Sequence, residues 1–458
     1  MSRAEQTAAA ASSGDGDAAA AEAGHQGGGR GLFRDAVNPG VTRREVWSWA
    51  MYDFANSGYT TVVLTTVFNS YFVGVVAAGK PWGTLAFTAA LSLSYLAIML
   101  TMPTLGARAD ATAGKRRLLF SSTIACVLAT ALLSLVAPGD IWLGLVILAV
   151  SNYCYCIGES VVAAFLPEIA RPQALGRVSG WGWGFGYFGG MLALGLSLLL
   201  VARMSAAGSP ASVFVPDVML LTAGLFAVAA IAPFLFLRER SAPTNRPVQG
   251  LLRRLWAAWR ETGAAFPDFR LLLLCGACYQ AGIAVVVTLA AVYATQAMGF
   301  TMTQTMELVF TVNIAAAVGA LLFGHVQDRI GHKRALVITL WGWIAMVVIA
   351  YLAVSLWLFW VAAVLAGLCM GTSQSAGRAM VGALAPSRRL AEFYSLWTFA
   401  IQLAAVIGPL SYGLVTWITF GNHRLALLVT GVFFVAGLLV LSRLNFARGM
   451  AARDAAPL

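Results

Sequence analysis

The stretch GARADATAGKRR, residues 106–117, recurs in altered form as GHVQDRIGHKR at residues 324–334. We call the two stretches the first and second signature loops. The same offset of 218 residues relates Leu166 to Leu384 and Gly190 to Gly408, outside the loops. Because one offset holds over such a length, we predict an internal duplication with two like halves. The loop positions that repeat are Gly106, Asp110, Lys115 and Arg116, which return as Gly324, Asp328, Lys333 and Arg334.

The composition is that of a membrane protein. Apolar residues make up 59% of the 458 residues and charged residues 11%, and the mean hydropathy is +0.78. A helix needs ~20 apolar residues to cross the ~30 Å hydrocarbon core of a bilayer. The sequence therefore predicts an all-α membrane protein of twelve transmembrane helices, arranged as two six-helix bundles. The apolar runs lie near residues 47–76, 84–105, 118–137, 141–167, 178–202, 217–237, 271–297, 304–326, 335–354, 357–385, 392–419 and 424–444.

The domain boundaries follow from these runs. Residues 1–42, rich in Ala, Gly and Ser, predict a disordered cytoplasmic tail, and residues 446–458 form a second tail. In the linker, Leu251 and Leu255 fall at helical spacing opposite Arg253, which predicts a helix lying in the membrane interface. The N-terminal bundle is predicted at 43–237, the linker at 238–270 and the C-terminal bundle at 271–445.

Basic residues are confined to alternate loops. Loops after even-numbered spans carry 18 Lys or Arg, whereas loops after odd-numbered spans carry three, Lys80, Arg203 and Arg424. Basic residues in short loops mark the cytoplasmic side, so both termini are predicted to be cytoplasmic in a bacterial inner membrane. This topology accounts for the net charge of +11. As partners of a monomeric protein we therefore expect the lipid bilayer and a small solute, and no nucleic acid.

Few ionisable residues lie well inside the predicted spans, where each costs about 2.5–3.5 kcal/mol at mid-span. Asp53, Glu159 and Arg378 all fall in the cytoplasmic third, and the 218-residue offset carries Glu159 to Gly377, next to Arg378. One hypothesis is that Glu159 or Asp53 pairs with Arg378 across the halves as a gate, and that either acid carries a coupling proton. The alternative is that each side chain reaches water or headgroups at the interface.

Polar side chains also mark equivalent spans of the two halves. On span 1, Ser57, Thr61 and Thr65 continue a four-residue repeat from Asp53, a stripe that must face protein or water in lipid. For any single Ser or Thr, bonding to its own backbone is the alternative. We predict a substrate cavity or coupling site built from Asp53, Asn56, Tyr59, Glu159, Gln280, Gln374 and Arg378.

Small residues predict where helices approach closely. Gly182, Gly186 and Gly190 form a ridge on span 5, and span 8 offers Ala316 and Ala320. One prediction is contact between these spans across the halves, and the alternative is packing within one bundle.

The signature loops carry a structural prediction of their own. Gly106 and Gly324 permit close packing at a helix end, and Asp110 and Asp328 can meet a helix N-terminus or an arginine. The basic clusters anchor the loops at the membrane face. Such contacts can form in one conformation and break in another.

These loops resemble the signature of the major facilitator superfamily, in which a glycine, three residues and an aspartate precede a glycine with basic residues. The second loop fits well and keeps Arg329 after the aspartate, whereas the first has Ala111 there and one more residue before Gly114. The resemblance implies two bundles that transport a solute by alternating access.

Further motifs are similar to the vacuole-effluxer family of that superfamily. They are WAMYDFANSGYTTVVLTTVFNSYF (49–72), AAFLPEIA (163–170), GWGFGYFGG (182–190) and QSAGRAMVGALAP (374–386) followed by AEFYSLW (391–397). The polar residues of these motifs match Asp53, Asn56, Glu168 and Arg378. The best-known fungal members export neutral amino acids from the vacuole, which implies amino-acid efflux.

We therefore predict a secondary active transporter of a small organic solute, with neutral amino acids first and protons as the candidate coupling ion. Efflux or uptake of drugs, siderophores or other metabolites is the near alternative, and a receptor or scaffold that has lost transport is another. An intramembrane enzyme is disfavoured, because the four histidines lie in the tail or near span ends. The six cysteines fall inside spans, so neither a metal site nor another cofactor is predicted.

Overall fold

The computed structural model describes residues 33–78, 82–243, 260–299, 302–420 and 422–455. The first 32 residues of the predicted tail and residues 251–259 of the predicted interfacial helix lie outside these ranges. Within them, twelve helices are long and apolar enough to cross a membrane, as predicted. The only β-structure in the described ranges is an isolated bridge between Val37 and Ala170.

The N-terminal half contains the first six of these helices. The helices often run beyond the predicted apolar runs, because backbone hydrogen bonding continues where charged residues begin. The helices are α1 Arg43–Val76, α2 Gly83–Thr112, α3 Lys115–Leu132, α4 Ile141–Ala163, α5 Leu175–Ala206 and α6 Ala211–Phe236.

The C-terminal half repeats the arrangement and adds a short helix at its end. α2 ends and α3 begins at the same end of the molecule where α8 ends and α9 begins, and we call this end the signature face. The helices are α7 Pro267–Met298, α8 Met302–Ile330, α9 His332–Leu352, α10 Leu356–Leu384, α11 Leu390–Ile418, α12 His423–Arg443 and α13 Phe446–Asp454.

Packing follows the duplication. Buried apolar side chains form two large clusters, one centred on each half. Large apolar side chains such as Leu128, Val228 and Leu410 stay exposed on the outside, where lipid solvates them. The largest contacts between the halves are α5 with α8 and α2 with α11.

The glycines of α5 serve two different neighbours. The predicted contact between spans 5 and 8 across the halves is confirmed, but the ridge of Gly182, Gly186 and Gly190 does not make it and lies against α1 of the same half. α8 is met by another face of α5, where Gly180 packs on Ala320. A four-residue ridge fixes which glycines share a face, but not which helix that face meets.

α1 is not a uniform α-helix. It is α-helical over Arg43–Tyr59 and π-helical over Thr60–Thr66. The hydroxyls of Thr65 and Thr66 donate to carbonyls five residues earlier, at 3.0 and 2.6 Å. π-turns are frequent at functional sites, and this one lies beside the cavity described next.

Candidate functional site

A cavity of about 370 Å³ lies between the two halves. Its N-terminal wall is polar and aromatic, and its C-terminal wall is mostly apolar. The N-terminal wall consists of Ser57, Thr60, Thr61, Thr65, Tyr155, Glu159, Trp183 and Tyr187. The C-terminal wall includes Val285, Val286, Met346, Phe359, Ala363 and Leu427, and its polar groups belong to Asn313, Gln374, Tyr293 and Tyr412.

The cavity has a charged floor on the side of the signature face. The last lining residues there are Ser57 on α1, Trp183 on α5 and Gln374 on α10. One helical turn separates residues four apart on a helix. One turn below these three lies an interlocked polar group, formed by Asp53, Ser179 and Arg378.

The ion pair in this floor joins the halves directly. Arg378 Nη1 lies 2.7 Å from Asp53 Oδ2 and donates to Oδ1 at 3.0 Å. Its Nε and Nη2 donate to the hydroxyl and the carbonyl of Ser179 at 3.2 and 3.1 Å. Its guanidinium also lies over the Trp49 ring, 4.7 Å from the centroid. Both charged residues are buried, at 7% and 6% exposure, so the pair seals the floor.

Glu159 takes a different place. Of the two acids offered as partners for Arg378, the structure pairs Asp53, and Glu159 instead lines the cavity. Tyr155, one turn earlier on α4, lines the same wall beside it. The acid lies next to the pair without joining it, because α4 presents it on the cavity wall rather than beneath it.

The remaining predicted site residues divide between the cavity and the protein interior. Gln374 lines the cavity, and the buried Gln280 donates to it at 2.8 Å. Asn56 is buried with neither amide atom hydrogen-bonded to a described residue. Tyr59 points away from the cavity and stacks on Tyr155, with ring centroids 5.0 Å apart.

The signature aspartates make reciprocal contacts between the halves. Asp328, at the end of α8, accepts hydrogen bonds from the backbone N–H groups of Gly176 and Arg177, both at 3.0 Å. Asp110, at the end of α2, accepts from Ala391 and Glu392 at 3.2 and 2.9 Å. These donors are the second and third residues of α5 and α11. Each aspartate therefore caps a helix N-terminus of the opposite half, where negative charge is stabilised.

The signature glycines allow these helices to meet. A Cβ on Gly106 would lie 2.6 Å from the carbonyl oxygen of Ala391. A Cβ on Gly324 would lie 2.8 Å from that of Gly176. Both distances are shorter than any normal contact, so only glycine fits here without a shift.

The basic residues of the two loops are used differently. Lys115 is fully buried and forms an ion pair with Glu168, which also accepts from Ser241 Oγ at 2.9 Å. Lys333 instead donates to the carbonyls of Ser442 and Leu444, at 3.2 and 2.6 Å. The repeat therefore preserves the lysine but not its partner.

The chain after α6 completes the first loop. Glu239 accepts from the backbone N–H groups of Lys115 and Arg116, and the Arg116 side chain donates to the Phe234 carbonyl. Arg240 pairs with Glu45 of α1, and this hydrogen bonding raises the pKa of the guanidinium. In the second loop, Arg329 and Arg334 are exposed.

Sequence reasoning missed several residues of the site. Ser179 and Trp49 hold Arg378, and Trp183 and Tyr187 line the cavity. Ser179 carried no signal, because isolated serines in a membrane helix usually bond to their own backbone. The aromatic residues belong to the motifs WAMYDF and GWGFGYFGG, whose sequence does not show that these rings face a cavity.

Two six-helix repeats around a central cavity, closed at one face by the glycine and aspartate loops, define a transporter of the major facilitator superfamily. The chain belongs to the vacuole effluxer Atg22-like family, whose model matches residues 83–454. Proteins of this family and fold are transporters and not enzymes.

Known proteins agree with this assignment. The chain is 26% identical over 405 residues to the uncharacterized MFS-type transporter YxiO of Bacillus subtilis, covering 86% of this chain and 93% of that protein. The fold is similar to the human organic anion transporter MFSD10, with a TM-score of 0.70 and 15% identity over 87% of this chain and 99% of the other. It is also similar to a bacterial homologue of ferroportin in an outward-facing state, with a TM-score of 0.68, 15% identity, and coverage of 89% and 100%.

Proposed function

We propose that this transporter moves a small amphipathic organic solute by alternating access, with neutral amino acids as the first candidate. The observation that carries the proposal is the asymmetric cavity, whose polar wall holds Glu159 and whose opposite wall is mostly apolar. Its volume of about 370 Å³ falls at the lower end of the range of ligand pockets, about 300–1,000 Å³. A solute with one polar end and one apolar end satisfies both walls.

The proposal includes an orientation and a direction. The loops rich in Lys and Arg belong to the signature face, so we take this face as cytoplasmic in a bacterial inner membrane, with both termini on that side. The floor and the helix caps close this face, and we therefore take the state as outward-facing. Export agrees with the effluxer family, and the moving units are the bundles 43–237 and 271–445 of a monomer. Protons are the proposed coupling ion, with Asp53 or Glu159 as carriers.

Counterflow in proteoliposomes tests the substrate. Purified protein is reconstituted with one unlabelled neutral amino acid inside, and uptake of the labelled compound is followed. Exchange of one or more neutral amino acids is the expected result. If none exchanges while an apolar drug does, the fold transports and the amino-acid assignment is wrong.

The Arg378→Ala variant separates transport from a scaffold role. A transporter loses flux when the floor of its cavity loses the cation, whereas a scaffold keeps its partner binding. Asp217→Asn, on an exposed site of α6, is the matched control and should leave flux unchanged.

A further inference from the structure

Glu159 is the single acidic or basic side chain among the described residues that line the cavity. It forms no ion pair with any described residue, and Tyr155, one turn earlier on α4, lies beside it on the same wall. An unpaired carboxylate in a low-dielectric cavity is costly unless a cation or a proton accompanies it. The cavity therefore carries an acidic group without a protein counter-ion.

The nearest cation is already committed. Arg378 lies beneath the floor, where it contacts Asp53, Ser179 and the Trp49 ring. All three guanidinium nitrogens are used in these contacts. Arg378 is buried and does not line the cavity, so it is held away from a solute carboxylate while the floor is closed.

We propose that Glu159 binds the ammonium group of the transported solute, and that the cavity in this state recognises an apolar organic ammonium without needing a carboxylate. The inference rests on the proposed function, because it assumes that the solute binds in this cavity. A carboxylate and an ammonium form a charge-assisted hydrogen bond, which is stronger than a neutral one.

The surrounding residues fit such a solute. Tyr155, Trp183 and Tyr187 place aromatic rings on the wall that holds Glu159, and ring faces attract cations. The facing wall, with side chains such as Val286 and Phe359, suits an apolar tail. Neutral amino acids carry the required ammonium group, and simple arylalkylamines carry it without the carboxylate.

Three probes of similar shape test the inference directly. Binding of phenethylamine, phenylalanine and 3-phenylpropionate to the full chain in nanodiscs is measured by calorimetry at pH 7. Phenethylamine is expected to bind at least as tightly as phenylalanine, and 3-phenylpropionate is expected not to bind. Equal affinity for the acid and the amine, or no binding of the amine, would overturn the proposal.

Substitutions locate the site. Glu159→Gln is expected to weaken amine binding about ten- to hundredfold, the loss for one charged hydrogen-bond partner. Glu159→Asp should restore part of it, and Asp217→Asn should match the wild type. Circular dichroism and gel filtration establish that each variant is folded. Unchanged amine affinity in Glu159→Gln overturns the proposal, and a change only in the pH profile of transport makes Glu159 a proton site instead.

The outcomes for the site and for the function are distinguishable. If amine binding depends on Glu159 but no amino acid exchanges in counterflow, the ammonium site is supported and the amino-acid substrate is contradicted. If amino acids exchange and Glu159→Gln changes neither the rate nor the half-saturation concentration, transport is supported and the ammonium site is contradicted.

Discussion

Arg378 Nη1 lies 2.7 Å from Asp53 Oδ2, and the two residues belong to opposite halves of the molecule. The pair lies one helical turn beneath the cavity, where water is excluded from both side chains. Separating the halves at the signature face therefore requires breaking a buried ion pair. The free energy of this contact biases the protein toward the state seen here.

We predict that neutralising one member of this pair destabilises the protein more than neutralising both. Asp53→Asn or Arg378→Gln leaves one buried charge without a partner, at a cost of about 3–5 kcal/mol. The double variant removes both charges and should recover part of that loss. Thermal unfolding of the four proteins forms a double-mutant cycle. Additive losses would mean that the two residues do not interact in the folded protein.

The reciprocal aspartate caps lead to a second prediction. Asp328→Asn removes the negative charge that α5 stabilises, so the signature face should open more often. In a background with the native cysteines replaced, maleimide labelling of Ser375→Cys reports that opening, because Ser375 is buried where its hydroxyl donates to the Gly176 carbonyl of the opposite half. Labelling is expected to accelerate about tenfold, which corresponds to about 1.4 kcal/mol. Asp454→Asn, an exposed site, is the control, and equal rates in both variants would contradict the cap as a closing contact.

The close approach of α2 and α11 gives a third prediction. Gly106→Ala places a methyl group against the Ala391 carbonyl, so the closed face must shift and the melting temperature should fall. Gly195→Ala on α5 meets nothing within 4 Å and should leave the melting temperature equal or higher. In helices alanine is favoured over glycine by about 1 kcal/mol. A similar fall in both variants would point to the membrane environment rather than the helix contact.

The unequal lysines of the signature loops give a fourth prediction. Glu168→Gln leaves the fully buried Lys115 without a counter-ion and should destabilise by about 3–5 kcal/mol. Lys333→Ala removes hydrogen bonds to two carbonyls and should cost about 1–3 kcal/mol. Unfolding monitored by tryptophan fluorescence compares the two. If Lys333→Ala lowered the free energy of unfolding more than Glu168→Gln, the buried ion pair of Lys115 would not be the stronger of the two contacts.

The sequence predicted the parts of the molecule that depend on hydropathy and on repetition. Span number and the division into halves follow from apolar runs, which bilayer thickness dictates. The position of ionisable residues along the membrane normal was predicted equally well, since Asp53 and Arg378 lie at the same depth and form an ion pair. Whether Asp53 or Glu159 pairs with Arg378 could not be predicted, because the depth of a residue does not show toward which neighbour its side chain points.

Other features escaped prediction for physical reasons. The π-helical part of α1 depends on Thr65 and Thr66 bonding to carbonyls five residues back, and threonine at these positions fits an ordinary α-helix as well. The glycine ridge of α5 could meet any helix of matching shape. Glu168, the partner of Lys115, is distant in the sequence, so no local sequence pattern predicts the pair.

The exchange of caps between the halves has a consequence for how opening proceeds. Asp110 holds α11 and Asp328 holds α5, so each half grips the other at a separate point of the same face. If one half tilts so that only one cap breaks, it rotates about the other cap, and the signature face stays partly closed. Opening of the signature face therefore requires both caps to break together. Two weak contacts that break together give a cooperative, switch-like transition.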